Sequence, residues 1–128
     1  MRAVDTNVVV RLITRDDDRQ VRSAEAFVSR GAWVSHLVLA ETSWVLSASY
    51  SLEHAQIATA IEMLLSHEHL TVQDTEVVEA ALEHYRSKPA LGFSDCLVVE
   101  IARKAGHSPL GSFDKALGKV DGVERLRG

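Results

Sequence analysis

With 128 residues and 46% hydrophobic side chains, the chain is long enough for one domain, residues 1–128, around one buried core. A formal charge of −4 argues against a basic body that holds nucleic acid by charge alone, and it permits an acidic pocket whose sign is inverted by bound cations. The single Cys96 excludes an intramolecular disulfide, no stretch approaches the ~18 apolar residues of a membrane span, and no leader-like segment opens the chain. A soluble cytoplasmic protein with no membrane partner is expected.

In chain order, Arg2 to Val4 reads as a short strand that ends in Asp5, with Val8 to Ile13 a short helix behind it. A second helix is expected from Arg19 to Ser29, with Asp16, Asp17 and Asp18 at its start and Gly31 stopping it. Ala32 to Ser35 is a brief strand, and Leu37 to Tyr50 a strongly apolar helix. Glu53 to Ser66 forms the next helix, with Ile57, Ile61, Leu64 and Leu65 on one face. Leu70 to Val72 is a third strand, and Glu76 to Arg86 a helix. Ser87 to Gly92 is a loop leading to a helix over Ser94 to Ala105. On that helix Leu97, Val98, Ile101, Ala102 and Ala105 are predicted to face inward, with Gly106 as its C-cap. Pro109 to Ser112 makes a fourth strand, Lys115 to Gly118 a helical turn, and Val123 to Leu126 an edge strand. Short strands alternating with helices predict an α/β fold with a mainly parallel central sheet, and ligands of such sheets gather beyond the carboxyl ends of the strands.

Four acids occupy informative places. Glu41 has Leu37, Val38, Trp44 and Val45 three and four residues away, so the spacing predicts a charge inside a core-facing stripe. A salt bridge or an outward-reaching side chain accounts for it as well as a functional site does. Asp95 lies in the first turn of a helix, where the dipole favours an acid by ~0.3–1 kcal/mol. Asp5 and Asp114 each follow a strand and precede a helical segment, so each alone reads equally as an N-cap. Together the four acids imply more. Packed without cations they would repel, and hard divalent ions relieve that repulsion while accepting all-oxygen ligands. Two such ions ~4 Å apart suit in-line hydrolysis of a phosphodiester.

The segments Val4-Asp5-Thr6-Asn7-Val8, Leu39 to Leu46 around Glu41, Phe93-Ser94-Asp95-Cys96-Leu97 and Ser112-Phe113-Asp114-Lys115 resemble the PIN-domain family in the family's own order, specifically its VapC-type toxin ribonucleases. The resemblance spans essentially the whole chain and implies a three-layer α/β/α sandwich. It also implies an endoribonuclease that requires Mg²⁺ or Mn²⁺ and leaves 5′-phosphate and 3′-hydroxyl ends, a cognate antitoxin encoded alongside, and homodimerisation. By motif matching, Asp5, Glu41, Asp95 and Asp114 are the catalytic and metal-ligating quartet. Asp5 and Asp95 are then the firmest ligands, with Thr6, Asn7 and Ser112 as supporting side chains. Many relatives carry an acid where this chain has Gly92, and a Thr where it has Ser112.

Arg11, Arg15, Arg86, Lys88 and Lys115 flank the proposed site and are candidates for holding RNA phosphates, with ordinary surface charge as the plain alternative. His67 and His69 lack a third metal partner, and His36, His54, His84 and His107 are expected at the surface or in caps. Cys96 reads as a buried small hydrophobe. Asp16 to Asp18 lacks the alternating spacing of a Ca²⁺ loop and reads as a solvated helix start. Trp44, Leu46, Tyr50 and Met63 are candidates for a dimer seam, with core packing as the alternative. Rival functions are a catalytically silent PIN-like protein-binding module and a phosphatase for small phosphoesters.

Overall fold

Side-chain oxygens set several of the helix starts, and the apolar period of each helix sets what it buries. The computed structural model describes residues 1–128, which pack as two compact units, Met1–Gln73 and Asp74–Gly128. The fold is α/β, with six α-helices and strands paired only in parallel.

In the first unit, β1 (Arg2–Ala3), β2 (Ala32–Val34) and β3 (Leu70–Val72) form a parallel sheet in that order, with Ala3 opposite Trp33 and Val34 opposite Val72. Helices α1 (Thr6–Thr14) and α2 (Asp18–Val28) separate β1 from β2, and α3 (His36–Tyr50) and α4 (His54–Ser66) separate β2 from β3. Such helical crossovers are what parallel neighbours require. Asp17 caps α2 by accepting from Gln20 N–H at 3.0 Å, and Ser35 caps α3 by accepting from Val38 N–H at 3.1 Å. The triple-aspartate run is thus a helix start. Val9, Val28, Val34, Leu39, Leu46, Ile61 and Leu64 are fully buried and form this unit's core.

The second unit holds α5 (Thr75–Ser87) packed on α6 (Phe93–Lys104), followed by β4 (Leu110–Ser112) and β5 (Val123–Arg125) as a parallel pair. Tyr85 and Phe93 meet edge to face with centroids 5.7 Å apart, beside the fully buried Val78, Cys96 and Leu97. Gly106 ends α6 at φ 87°, with its N–H bonded to Arg103 O at 3.0 Å.

Several expectations change. The strands hydrogen-bond into two sheets, one in each unit, where one was expected. The last helical turn is a 3-10 turn at Leu117–Lys119, later than Lys115, with Ala116 at its N-cap position and Asp114 Oδ1 just before it accepting from Leu117 N–H at 2.8 Å. Val98 and Ile101 of α6 are exposed. The inward side is carried by Phe93, Cys96, Leu97, Val99 and Glu100, since α5 covers that face. His36 is buried, its Nε2 against Gln73 O at 2.8 Å, and His84 Nε2 lies 2.9 Å from Oε2 of the buried Glu100. His36 is therefore not a surface histidine, whereas His84 is part-buried and meets its oxygen partner at the edge of the core. Leu46 is fully buried core and so takes no part in a dimer seam, while Tyr50 is part-buried with its hydroxyl tied to Arg11 and Asp16. No helix is long and apolar enough to cross a membrane.

Candidate active site

Asp5 lies two residues past β1 and opens α1 as its N-cap. A residue at that junction has extended backbone and a short side chain able to reach back to the helix, which is what an N-cap demands. Its Oδ1 accepts from Val8 N–H at 3.1 Å. The residue is exposed, and Oδ2 remains for another partner. The capping reading and the ligand reading of Asp5 therefore apply to different oxygens of one carboxylate.

Glu41 stands in the second turn of α3, which packs on α1. It is exposed, which corrects the core-facing placement that its neighbours suggest. The cause is that α3 is apolar nearly all round. It buries Leu39, Thr42, Ser43 and Leu46, and turns Leu37 and Trp44, each 69% exposed, to the outside with Glu41. Thr6 Oγ1 donates to Glu41 Oε1 at 2.8 Å, so the first residue of α1 holds Glu41 next to Asp5. Asp5, Thr6, Asn7 and Glu41 line one open cleft of about 590 Å³, whose apolar wall includes Trp44 and Val45. Asn7 makes no hydrogen bond to a carboxylate. With Asp5 it also borders a second cleft of about 340 Å³, lined in part by Arg11, Gln20, Ser23 and Phe27.

In the second unit, Gly92 is the N-cap of α6 and Asp95 lies in its first turn. Much of Asp95 is exposed, yet its carboxyl is partly shielded. That burial, with the Asp114 charge adding to it, raises its pKa above the usual carboxylate value. Asp114 spends Oδ1 on accepting from Leu117 N–H, and Ser112 Oγ accepts from the Asp114 backbone N–H at 3.0 Å. Ser112 thus fixes the Asp114 backbone and leaves the carboxylate unbonded to it. A Cβ built on Gly92 would stand 3.6 Å from Asp95 Oδ2, so that position faces the carboxyl directly.

The structure therefore brings together Asp5, Thr6, Asn7 and Glu41 in one unit, and Asp95 and Asp114 in the other. Within neither unit are three His, Cys, Asp or Glu side chains gathered into a ligating cluster. The donor set of each pair suits a hard divalent cation. All donors are carboxylate oxygens, Asp5 keeps one oxygen unspent, and the mutual repulsion acting on Asp95 is what a cation relieves.

The flanking cations are less available than their sequence positions suggest. Arg11 is held by Asp16 at 2.7 Å, by the Tyr50 hydroxyl at 3.0 Å and by the Gln20 amide oxygen. The Thr14 hydroxyl, Tyr50 and Arg11 together hold the Asp16 carboxyl below its usual pKa. Arg15 pairs with Glu25 at 3.2 Å. Lys88 is half-buried, while Arg86 and Lys115 are exposed. Gln20, Ser23 and Phe27 escape a motif-based reading altogether. Trp44 was legible as an apolar residue one turn after Glu41, but its place in the acidic cleft was not.

No curated protein and no solved structure matches the sequence. Residues 2–123, nearly the whole chain, match the PIN domain, whose members are in general nucleases. With its α/β fold, its parallel strands and its acid-lined cleft, the chain belongs to the PIN-domain family.

Proposed function

We propose that this chain is a Mg²⁺- or Mn²⁺-dependent endoribonuclease, the toxin of a toxin–antitoxin pair of VapC type. The observation that carries the reading is the side-by-side placement of Asp5 and Glu41, fastened through Thr6, in an open cleft of a PIN-family chain. In this reading Asp5 and Glu41 in the first unit, and Asp95 and Asp114 in the second, are the metal-ligating residues, and a bound divalent ion would supply charge neutralisation at a scissile phosphate and a water activated for in-line attack. Thr6 positions the Glu41 carboxylate, and the α1 cap fixes the rotamer of Asp5. Ser112 fixes the backbone that presents Asp114. Asn7, at the rim of the cleft, has its amide free to orient a phosphate oxygen or the attacking water.

The proposed partners are RNA, a cognate antitoxin and a second copy of the chain. An antitoxin that covers the acidic cleft would also cover the exposed Trp44, which lines it. The exposed Val98 and Ile101 of α6 are apolar surface suited to a homodimer.

The test is cleavage of total cellular RNA by the purified protein with Mn²⁺, beside lanes with EDTA and with Asp5→Asn. Discrete products lost in both control lanes are expected. Intact RNA in every lane, with no heat of Mn²⁺ binding, would replace the nuclease by a silent protein-binding module. Because Asp5 already serves as a cap and Asp114 already accepts a backbone N–H, that module is the specific rival.

A further inference from the structure

Two clefts meet at Asp5 and Asn7, and those are the only residues the clefts share. A strand whose scissile phosphate lies over Asp5 must therefore send one neighbouring nucleotide to each side. The two volumes, about 590 and 340 Å³, lie within the roughly 300–1,000 Å³ typical of small-ligand sites. We propose that the Asp5–Asn7 ridge divides two nucleotide subsites, with Trp44 stacking on the base in one and Gln20 reading an acceptor edge of the base in the other. The proposal rests on the nuclease reading for the position of the scissile phosphate.

Trp44 is 69% exposed and stands one helical turn after Glu41, on the same face of α3 and in the same cleft. Every base offers a π-face, so an indole beside the carboxylates holds a nucleotide without demanding a particular sequence. In the other cleft the chemistry is directional. Arg11 Nε donates to Gln20 Oε1, and a guanidinium has no acceptor, so the amide can only face it oxygen first. The Gln20 amide nitrogen is then the group left for a ligand, and it donates to base acceptors such as O6 and N7 of guanine. Asp16 and Tyr50 hold the other side of the Arg11 guanidinium and keep the amide in register. Phe27, stacked under the Arg2 guanidinium at 3.5 Å, gives that cleft an aromatic wall.

Charge supports stacking over phosphate clamping. Arg11 and Arg15 are already paired with Asp16 and Glu25, so few counterions are released when a strand settles here. Binding at these subsites is accordingly expected to depend weakly on salt.

The test uses the full chain carrying Trp33→Phe, which leaves Trp44 as its only tryptophan. Short single-stranded oligoribonucleotides are titrated in EDTA, so that no cleavage intervenes, with Trp44 fluorescence and the anisotropy of a labelled strand as readouts. Saturable quenching is expected, changing little between low and moderate salt. Trp44→Ala should weaken binding roughly 5- to 150-fold, the span for one stacked base, and Trp44→Phe should recover most of it. Gln20→Ala should erase a preference for guanine-containing strands while leaving the quenching in place. Circular dichroism confirms that each variant is folded. No quenching, or unchanged binding by Trp44→Ala, overturns the subsites, and Mn²⁺-dependent cleavage persisting beside it leaves the nuclease reading intact. Quenching without any cleavage in Mn²⁺ overturns the nuclease and keeps the subsites. Quenching that follows protein concentration and ignores the oligonucleotide assigns Trp44 to contact between copies and overturns the proposal.

Discussion

The Thr6 hydroxyl donates to Glu41 Oε1 at 2.8 Å across 35 residues of sequence, joining the start of α1 to the second turn of α3. A carboxylate on an exposed helix face otherwise samples several rotamers, and each costs entropy when an ion is bound. Thr6→Val keeps the shape and removes the donor. Mn²⁺-dependent RNA cleavage is expected to fall by roughly 10- to 100-fold, as for other losses of a group that orients a ligand, and Thr6→Ser should restore it. Rates from single-turnover cleavage decide this, and a fully active Thr6→Val would remove Thr6 from the machinery.

Asp95 should show opposite effects on stability and function. Partial burial, and then the Asp114 charge, raise its pKa, so at neutral pH its charged form is disfavoured in the folded metal-free protein. What the protonated side chain contributes is complete below the ordinary value of 3.8 and is lost as pH rises through the raised folded value. Asp95→Asn is therefore expected to raise the urea midpoint of the metal-free protein at neutral pH, with the gap closing at about pH 3, below the ordinary carboxylate pKa. Cleavage should fall by more than the roughly 10- to 100-fold typical of lost orienting groups. A lower midpoint at neutral pH would contradict the burial argument.

Gly92 marks a place where a carboxylate can be added. Its backbone is extended, and a Cβ there stands 3.6 Å from Asp95 Oδ2 in ordinary contact. Gly92→Asp should fold, cap α6, and tighten Mn²⁺ binding by about tenfold through added ligand charge. Without metal the extra like charge should lower stability. Calorimetric titration with Mn²⁺ tests the first claim and thermal melts in EDTA the second. Unchanged affinity would separate this position from the metal.

Cys96 should be inert. Burial above all, helped by the charges of Asp95 and Glu100, pushes its thiol up to about 12. Relative to an ordinary thiol at 9.0 this leaves roughly a thousandfold less thiolate, three pKa units, in the folded chain. Alkylation by iodoacetamide at neutral pH is expected only after urea is added, as followed by mass spectrometry. The raised value also means stability that is complete below pH 9.0 and lost as pH climbs through about 12. Rapid labelling of the native protein would show that the residue is reached without unfolding.

Helix and strand positions were legible to within a residue or two, because amphipathic period, caps and glycine stops are local signals. What a helix faces was not. Leu37, Trp44, Val98 and Ile101 look like core residues by spacing and are exposed, because periodicity identifies an apolar face without saying whether the fold covers it. Glu41 inherited the same ambiguity from its neighbours. The pairing of His84 with the buried Glu100 joins residues on two helices and left no mark in either segment. The closeness of Asp5 to Glu41 was readable only as motif order, and Thr6 only as a supporting side chain of the site; that its hydroxyl fastens Glu41 is visible only in three dimensions.

Asp5 caps the first helix and lines the cleft, and that double duty reaches beyond the test tube. Loss of an aspartate cap costs ~0.5–2 kcal/mol, which is a sizeable part of the ~5–15 kcal/mol that holds a domain together. Under the proposed nuclease reading, Asp5→Ala is expected both to lose activity and to be more readily cleared by proteases in a living cell, so a lost phenotype there would measure dose as well as catalysis. Asparagine caps about as well as aspartate, so Asp5→Asn keeps the amount of protein while withdrawing the charge. Inheritance of inactive alleles should follow the same division, with alanine-like losses also thinning the pool available to any partner.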